Sequence, residues 1–312
     1  MTGVRGDPDD LLVLPNPDGV DLSSDGGAWA RLWDETPSTY EPVDRLRPVV
    51  TLAVPTIARV VDCLLGGKDN FQVDRDRADA ALAADPRIGQ IVVEDRRFRL
   101  RAVRHLVREC GITQFVDIGA GLPTAENVHQ VAQRHDPGAR VVYVDHDPIV
   151  VAHGQALLAV NDRVVVVQAD LRDPGGIFGH PEVTRLIDLD RPVGVLLAPV
   201  LQFLSDADRP ENVMRTIREA LAPGSHLVVS HACAEARPRE AEGVMDVYRT
   251  VVPSATTRER ERIAAFFGDF ALTEPGLAWV PAWRPDSITP PGPADHIWHL
   301  GGVARKQSPA AA

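Results

Sequence analysis

The chain has 312 residues, 44% of them hydrophobic and 25% charged, the balance of a folded globular domain with a sizeable core. Its formal net charge of -11 repels phosphate backbones and argues against general nucleic-acid binding. No apolar run approaches the ~20 residues of a membrane span, and the polar, acidic start MTGVRGDPDD is no secretory signal.

Residues 1 to 47 are rich in Pro, Gly, Asp and Ser without a sustained period and read as a mobile tail, partly docked through Trp29 and Trp33. Residues 48 to 110 read as a helical cap. Pro55 suits a first helical turn, and DRDRADAALAAD has the propensity of an exposed helix. Between them, LLGGKDNF (Leu64 to Phe71) interrupts the helical run with two glycines, a lysine, an aspartate and an asparagine. One reading is a C-cap at Gly66 or Gly67 followed by an Asp or Asn N-cap; the other is a loop that holds a ligand. The P-loop spacing is absent and no strand precedes it. Residues 96 to 108 carry six arginines. Arg97, Arg101, Arg104 and Arg108 recur at helical spacing, either as a solvated face or as a dock for an anion.

From Thr113 onward the pattern alternates. QFVDIG, RVVYVD, RVVVVQAD, PVGVLLAPVLQFL and SHLVVSH read as strands, and NVHQVAQRH, PIVVAHGQALLA and ENVMRTIREALAPG as helices. This pace predicts βαβ units and a parallel sheet with strands covered on both faces. After Ala234 the signals weaken: TRERERIAAFFGDF reads as a helix, FALTEPGLAWVP and DHIWHLGGVARK as two final strands with the last antiparallel, and 306 to 312 as a disordered tail. Cys63, Cys110 and Cys233 offer neither a disulfide framework nor a C-x-x-C zinc pair, and a cytoplasmic location follows.

The most informative stretch is FVDIGAGLPTAENV: a strand, a tight glycine turn, then a helix predicted to open at Pro123. Such a turn brings backbone N–H groups beneath a ligand. Asp145 ends the next strand, 24 residues after Gly121, where a carboxylate accepts from both hydroxyls of a ribose. The alternative for Asp145 is a turn or cap aspartate in DHDP. The dinucleotide fingerprint needs a third glycine; that position is Thr124. Asp117 stands two residues before Gly119, and Asp170 ends a third strand, with Leu171 offering a backbone N–H to adenine. Three acids at three consecutive strand ends suit a cationic, adenosine-bearing ligand better than NAD.

The segments LLGGKDNF, DIGAGLPTAENVHQVAQ, VVYVDHDPIVVAHGQALL, QADLRDP, APGSHLVVSH and WRPD…GGVARK, in this order from Val54 to Lys306, resemble a bacterial family of class I S-adenosyl-L-methionine-dependent methyltransferases, formerly a domain of unknown function. The resemblance implies an α/β three-layer sandwich, Rossmann-like, with a seven-stranded, mostly parallel sheet in the order 3-2-1-4-5-7-6 over residues 111 to 305. It implies S-adenosylmethionine bound by Asp117, Gly119, Ala120, Gly121, Asp145, His146, Asp170, Leu171 and Ala198. The helical cap becomes a lid, with Gly67, Lys68 and Asn70 over the methionine end. Cys63 stands where family members are expected to carry an aromatic residue.

Methyl transfer needs alignment and exclusion of water, and a base only when the acceptor arrives protonated. After the fourth strand, Ala198-Pro199-Val200-Leu201-Gln202-Phe203 lacks the Asn/Asp-Pro-Pro-aromatic motif of enzymes that methylate amino groups of nucleic acids or glutamine. The expected acceptor is a small molecule. His231, at the end of the fifth strand, is the candidate base, its alternative a capped loop residue; His129 and His153 fall on helix faces. His296 and His299 in HIWH point to opposite faces of a strand, so no metal site is expected. Two other readings stay open: a regulatory protein that binds S-adenosylmethionine without turnover, and an NAD(P)-dependent oxidoreductase.

Overall fold

The structure, a computed structural model, describes residues 53–286 and 297–308; the expected mobile tail with Trp29 and Trp33, His296 and the last four residues lie outside them. The Val-rich runs form strands buried on both faces. β1 (Gln114–Ile118), β2 (Arg140–Asp145), β3 (Val164–Gln168), β4 (Gly194–Leu197) and β5 (His226–Ala232) are parallel. β6 (Ala271–Leu272), β7 (Ala278–Trp279) and β8 (His299–Arg305) follow, with β8 antiparallel to β5 and both short strands paired to β8. The order is β3-β2-β1-β4-β5-β8-β6. This is the expected methyltransferase order, with β8 in the seventh strand's place.

Alternate residues of the strands enter two separate cores. Phe115, Val141 and Tyr143 pack on one side with Ile91, Phe98 and Leu106; Val116, Ile118, Val142 and Val144 pack on the other with Ile177, Val183 and Ile217. The first side carries α1 (Ile57–Leu64), α2 (Gln72–Ala84), α3 (Ile88–Arg108), α4 (Val128–His135) and α9 (Pro238–Arg249). Helices α6 (Pro174–Phe178), α7 (Pro181–Leu186) and α8 (Pro210–Ala220) cover the second. α5 (Pro148–Leu157) follows β2, and α10 (Arg260–Ala265) precedes β6. Proline occupies the first turn of α5 to α9, where its missing N–H leaves no intrahelical bond unmade. Among the described residues no helix is long and apolar enough to cross a membrane.

Four expectations need correction. The helix after the glycine turn opens at Val128, not Pro123, because Gln130 accepts the Asn127 N–H in a capping box at 2.8 Å. FALTEPGLAWVP is two short strands rather than one, since Gly276 (φ +83°) closes a turn from Thr273. TRERERIAAFFGDF is helical only over Arg260–Ala265. The arginine stripe divides: Arg97 and Arg108 are exposed, as on a solvated face, but Arg101 and Arg104 are buried and form no open dock. Arg101 donates to the carbonyls of Trp283 and Val280, and Arg104 pairs with Asp286 at 3.0 Å. The two middle arginines fasten α3 to the segment before β8. Helices α6 and α7 are too short to carry a period, whereas α9, absent from the expectations, does carry one, with Ala241, Val244, Met245 and Tyr248 buried at helical spacing.

Candidate active site

β1 ends at Ile118, and the chain turns back over Gly119 (φ +74°) and Gly121 (φ +68°), conformations that residues with a Cβ rarely adopt. At Gly119 there is a second constraint: an added Cβ would lie 2.5 Å from Val200 Cγ2. The Gly119 and Ala120 N–H groups donate to the Val144 carbonyl at 2.8 and 3.1 Å, which seats the turn on the end of β2. The Gly121 N–H donates to Asp145 Oδ2 at 3.0 Å, and the Asp147 N–H donates to Oδ1 at 3.0 Å. Asp145 is therefore held at the sheet edge, as a ribose acceptor must be, rather than free to swing.

Above this edge lies a cavity of ≈ 520 Å³, within the ~300–1,000 Å³ range of small-molecule sites. Gly119, Ala120, Gly121, Asp145, His146, Asp170, Leu171 and Ala198 all line it. Its opposite wall comes from α1, the first half of α3 and the residues after α9. After β1 it is the loop, not the N-terminus of α4, that borders the cavity, because α4 begins beyond it.

Each acid meets a different environment. Asp170, at the exposed rim, is gripped by Arg172, whose Nε lies 3.0 Å from Oδ1, and this hydrogen bond holds its carboxyl below the usual range. His146 is exposed, 3.5 Å from Asp145; hydrogen bonding to that carboxylate raises its pKa. Asp117 is buried and outside the cavity lining. Its Oδ2 pairs with Arg99 Nη1 at 3.3 Å. Burial pushes its pKa up against the opposing pull of Arg99.

Gly67, Lys68 and Asn70 are not among the lining residues. α1 ends in a Schellman cap: Gly66 (φ +76°) donates to the Cys63 carbonyl and Gly67 to the Asp62 carbonyl. The loop then folds onto the Asp62 carboxylate, which accepts from the Asp69 N–H at 2.9 Å and Asn70 Nδ2 at 2.8 Å. Lys68 is exposed. Asp62 and Leu65 line the cavity, so residues 67–70 reach the site only indirectly, by bracing the Asp62 carboxylate.

His231 is buried and outside the lining. Its Nδ1 meets the Ala232 carbonyl at 2.7 Å, and its Nε2 meets Arg258 Nη1 at 2.8 Å. Arginine only donates, so the Nε2 lone pair is already used and no lone pair remains for a substrate proton. Burial and Arg258 lower its pKa to about 3. His129 and His153 bond Tyr143 and the Ile149 carbonyl, and neither histidine lines the cavity.

Sequence reasoning missed several lining residues: Arg96 and Arg99 of α3, Tyr248 of α9, and the pair Asp95 and His299. The Arg96 and Arg99 signal was present in the arginine run but assigned to a different stripe. Burial and the neighbouring Arg99 lower the pKa of Arg96 to about 9.

These residues fit S-adenosylmethionine. The loop is bare of side chains at its two glycines, and Asp145 and Asp170 stand at consecutive strand ends. Asp95 Oδ2, Arg99 Nε and Asp147 Oδ2 are buried on lining residues without a hydrogen-bond partner among the described residues, so the site retains polar groups for a ligand.

Comparison with known proteins agrees with this reading. A profile of the family described as S-adenosyl methyltransferase matches residues 45–307. A presumptive methyltransferase from Thermobifida fusca YX has a similar structure, with a TM-score of 0.79 and 42% identity over 84% of this chain and 100% of that one. A DUF574 family protein from Streptomyces avermitilis MA-4680 has a TM-score of 0.77 and 38% identity over 80% of this chain and 96% of that one. No curated protein sequence matches the chain.

Proposed function

The chain belongs to the S-adenosyl methyltransferase family, and we propose that this S-adenosylmethionine-dependent methyltransferase acts on a small, largely apolar acceptor seated between α1, α3 and the end of α9. The observation that carries the proposal is the split character of the cavity. Its sheet side has the glycine loop, Asp145 and Asp170; its far side has Ile57, Val61, Ile88, Val92 and Val251, with Asp62, Asp95, Arg96 and Arg99 among them. A cofactor with a charged, hydroxylated body suits the first side, and an apolar acceptor suits the second.

When bound, S-adenosylmethionine supplies a methyl carbon already activated by its sulfonium. The chain's part is then to bind, align and exclude water. Asp145 receives the ribose hydroxyls, and Asp170, once Arg172 yields, receives the adenine amino group next to Leu171. Ala120 and Gly121 let backbone approach the methionine portion. Asp117 acts through Arg99, whose Nη1 also reaches the Ala120 carbonyl at 3.4 Å. α1 closes the site from above, with residues 67–70 bracing Asp62. The net charge of -11 supports a small acceptor over a nucleic acid, and three free cysteines support a cytoplasmic setting.

Calorimetry tests the site. S-Adenosylmethionine should bind the wild-type protein, and Asp145→Ala should weaken binding about 10- to 100-fold, the worth of hydrogen bonds to a charged group. Unchanged affinity in that variant would put the cofactor elsewhere.

A further inference from the structure

The cavity contains one histidine that the cofactor assignment leaves without work. His299, the first residue of β8, pairs in register with Ala232 at the end of β5. Because β8 runs antiparallel, its first residue arrives at the same sheet edge as the last residues of the parallel strands, where ligands bind in this class of sheet. His299 is buried apart from its face on the cavity.

Its ring is oriented by a carboxylate. Nδ1 lies 3.0 Å from Asp95 Oδ1, and Asp95 is itself buried and lines the cavity. An ionised carboxylate only accepts, so Nδ1 carries the hydrogen and the lone pair sits on Nε2. Among the described residues Nε2 has no hydrogen-bond partner, nor is it sealed from the cavity. One helical turn along α3 from Asp95, Arg99 touches the glycine loop at the Ala120 carbonyl. In the strand order β8 lies on the opposite side of β1 from β3, so the dyad faces the cavity from the side away from the adenine end marked by Asp170.

The remaining wall is aromatic. Phe203 and Tyr248 both line the cavity, with ring centroids 6.1 Å apart and planes inclined at 47°, a corner suited to the face or edge of a further ring.

Resting on the cofactor reading above, we propose that His299 is the general base of methyl transfer, positioned by Asp95, and that the acceptor is a phenolic hydroxyl. An imidazole matches such a proton: a phenol has a pKa of about 10, against about 15.7 for a water-like hydroxyl, and base catalysis works best when donor and acceptor are not far apart. In the step, His299 Nε2 takes the hydroxyl proton and the phenolic oxygen's electron pair forms the bond to the methyl carbon. The bond between that carbon and the sulfonium sulfur breaks, leaving its pair on sulfur. The products are an aryl methyl ether and S-adenosylhomocysteine, and the imidazolium later returns its proton to water.

The test has three arms. Calorimetry with S-adenosylhomocysteine should give the same affinity for wild type and His299→Gln; no binding to wild type would reject the cofactor reading itself, separately from the base. Nitrogen-15 histidine NMR of the wild-type protein near neutral pH should show His299 as the Nδ1–H tautomer, and the Nε2–H tautomer would overturn the proposal without any variant. Single-turnover transfer to unsubstituted phenol, catechol and 4-nitrophenol completes it. His299→Gln should lose about 10²- to 10⁴-fold on the first two and far less on 4-nitrophenol, which is largely ionised beforehand. Asp95→Asn, which still accepts from Nδ1–H, should lose less than His299→Gln on the same substrates. Equal losses on all three phenols would overturn the base, and no transfer to any of them by wild type would overturn the acceptor class.

Discussion

Arg99 Nη1 lies 3.3 Å from Asp117 Oδ2, with both side chains buried. The acid at the head of the glycine loop is therefore matched by an arginine from the helix that precedes the sheet. Residues 18 apart in sequence tie the helical cap to the cofactor edge, and the same guanidinium reaches the Ala120 carbonyl at 3.4 Å. Asp117 Oδ2 is thereby engaged within the protein, while Oδ1 has no hydrogen-bond partner among the described residues.

Removing one partner of this pair should cost more than replacing both. Arg99→Ala strands a buried carboxylate and should lower unfolding stability by about 3–5 kcal/mol, whereas Arg99→Met with Asp117→Asn should lose clearly less. Urea unfolding of the two variants decides the matter; equal losses would mean the pair is not coupled.

Gly66 and Gly119, both left-handed, should respond differently to alanine. At Gly66 nothing lies within 4 Å of an added Cβ, so Gly66→Ala should cost only the strain of the left-handed backbone, about 1–2 kcal/mol. At Gly119 the same strain is joined by the collision with Val200, adding about 1–3 kcal/mol of overpacking. Thermal melts should rank Gly119→Ala well below Gly66→Ala, and cofactor affinity should fall only in the former.

Within the loop after α1, Asn70 and Lys68 should separate stability from surface. Asn70 Nδ2 donates to Asp62 Oδ2 and to the Gly67 carbonyl, and its Oδ1 accepts from Arg75. Asn70→Ala should cost about 1–3 kcal/mol, while exposed Lys68 should change stability by no more than about 0.5 kcal/mol when replaced by alanine. If Lys68→Ala nevertheless weakens S-adenosylmethionine in calorimetry, its side chain contacts the ligand directly.

Acid should destabilise the fold through its buried neutral histidines. Burial, with Arg305 and His105 nearby, lowers His226 to about 4; burial and Arg258 lower His231 to about 3. The unfolded chain takes up these protons near pH 6.5, so their contribution is present above that value. It is lost as pH falls through the window from about 6.5 to about 4 for His226 and to about 3 for His231, at up to about 1.4 kcal/mol per pH unit for each. Both His226 ring nitrogens lack partners, so His226→Leu should flatten the difference in urea stability between about pH 7 and about pH 5. An unchanged slope would show that His226 is protonated in the fold.

The sequence by itself determined the parallel strands, the glycine turn and the acids at the ends of β2 and β3, because these depend on neighbours a few residues away. Alternation records which faces are buried, a left-handed turn needs glycine locally, and Asp145 follows Gly121 through a single βα unit. It also placed the helix break after Leu64, although Gly66 and Gly67 proved to be a cap rather than lining residues. What only the tertiary structure decided are pairings across the fold. Asp95 and His299 are 204 residues apart, and they meet because β8 enters antiparallel beside β5. His231 looks equally well placed in sequence, yet Arg258, 27 residues on, occupies its lone pair. A histidine's hydrogen-bond partners, and hence its chemistry, are set by strand order and by what packs above the sheet edge, neither of which leaves a local pattern in the chain.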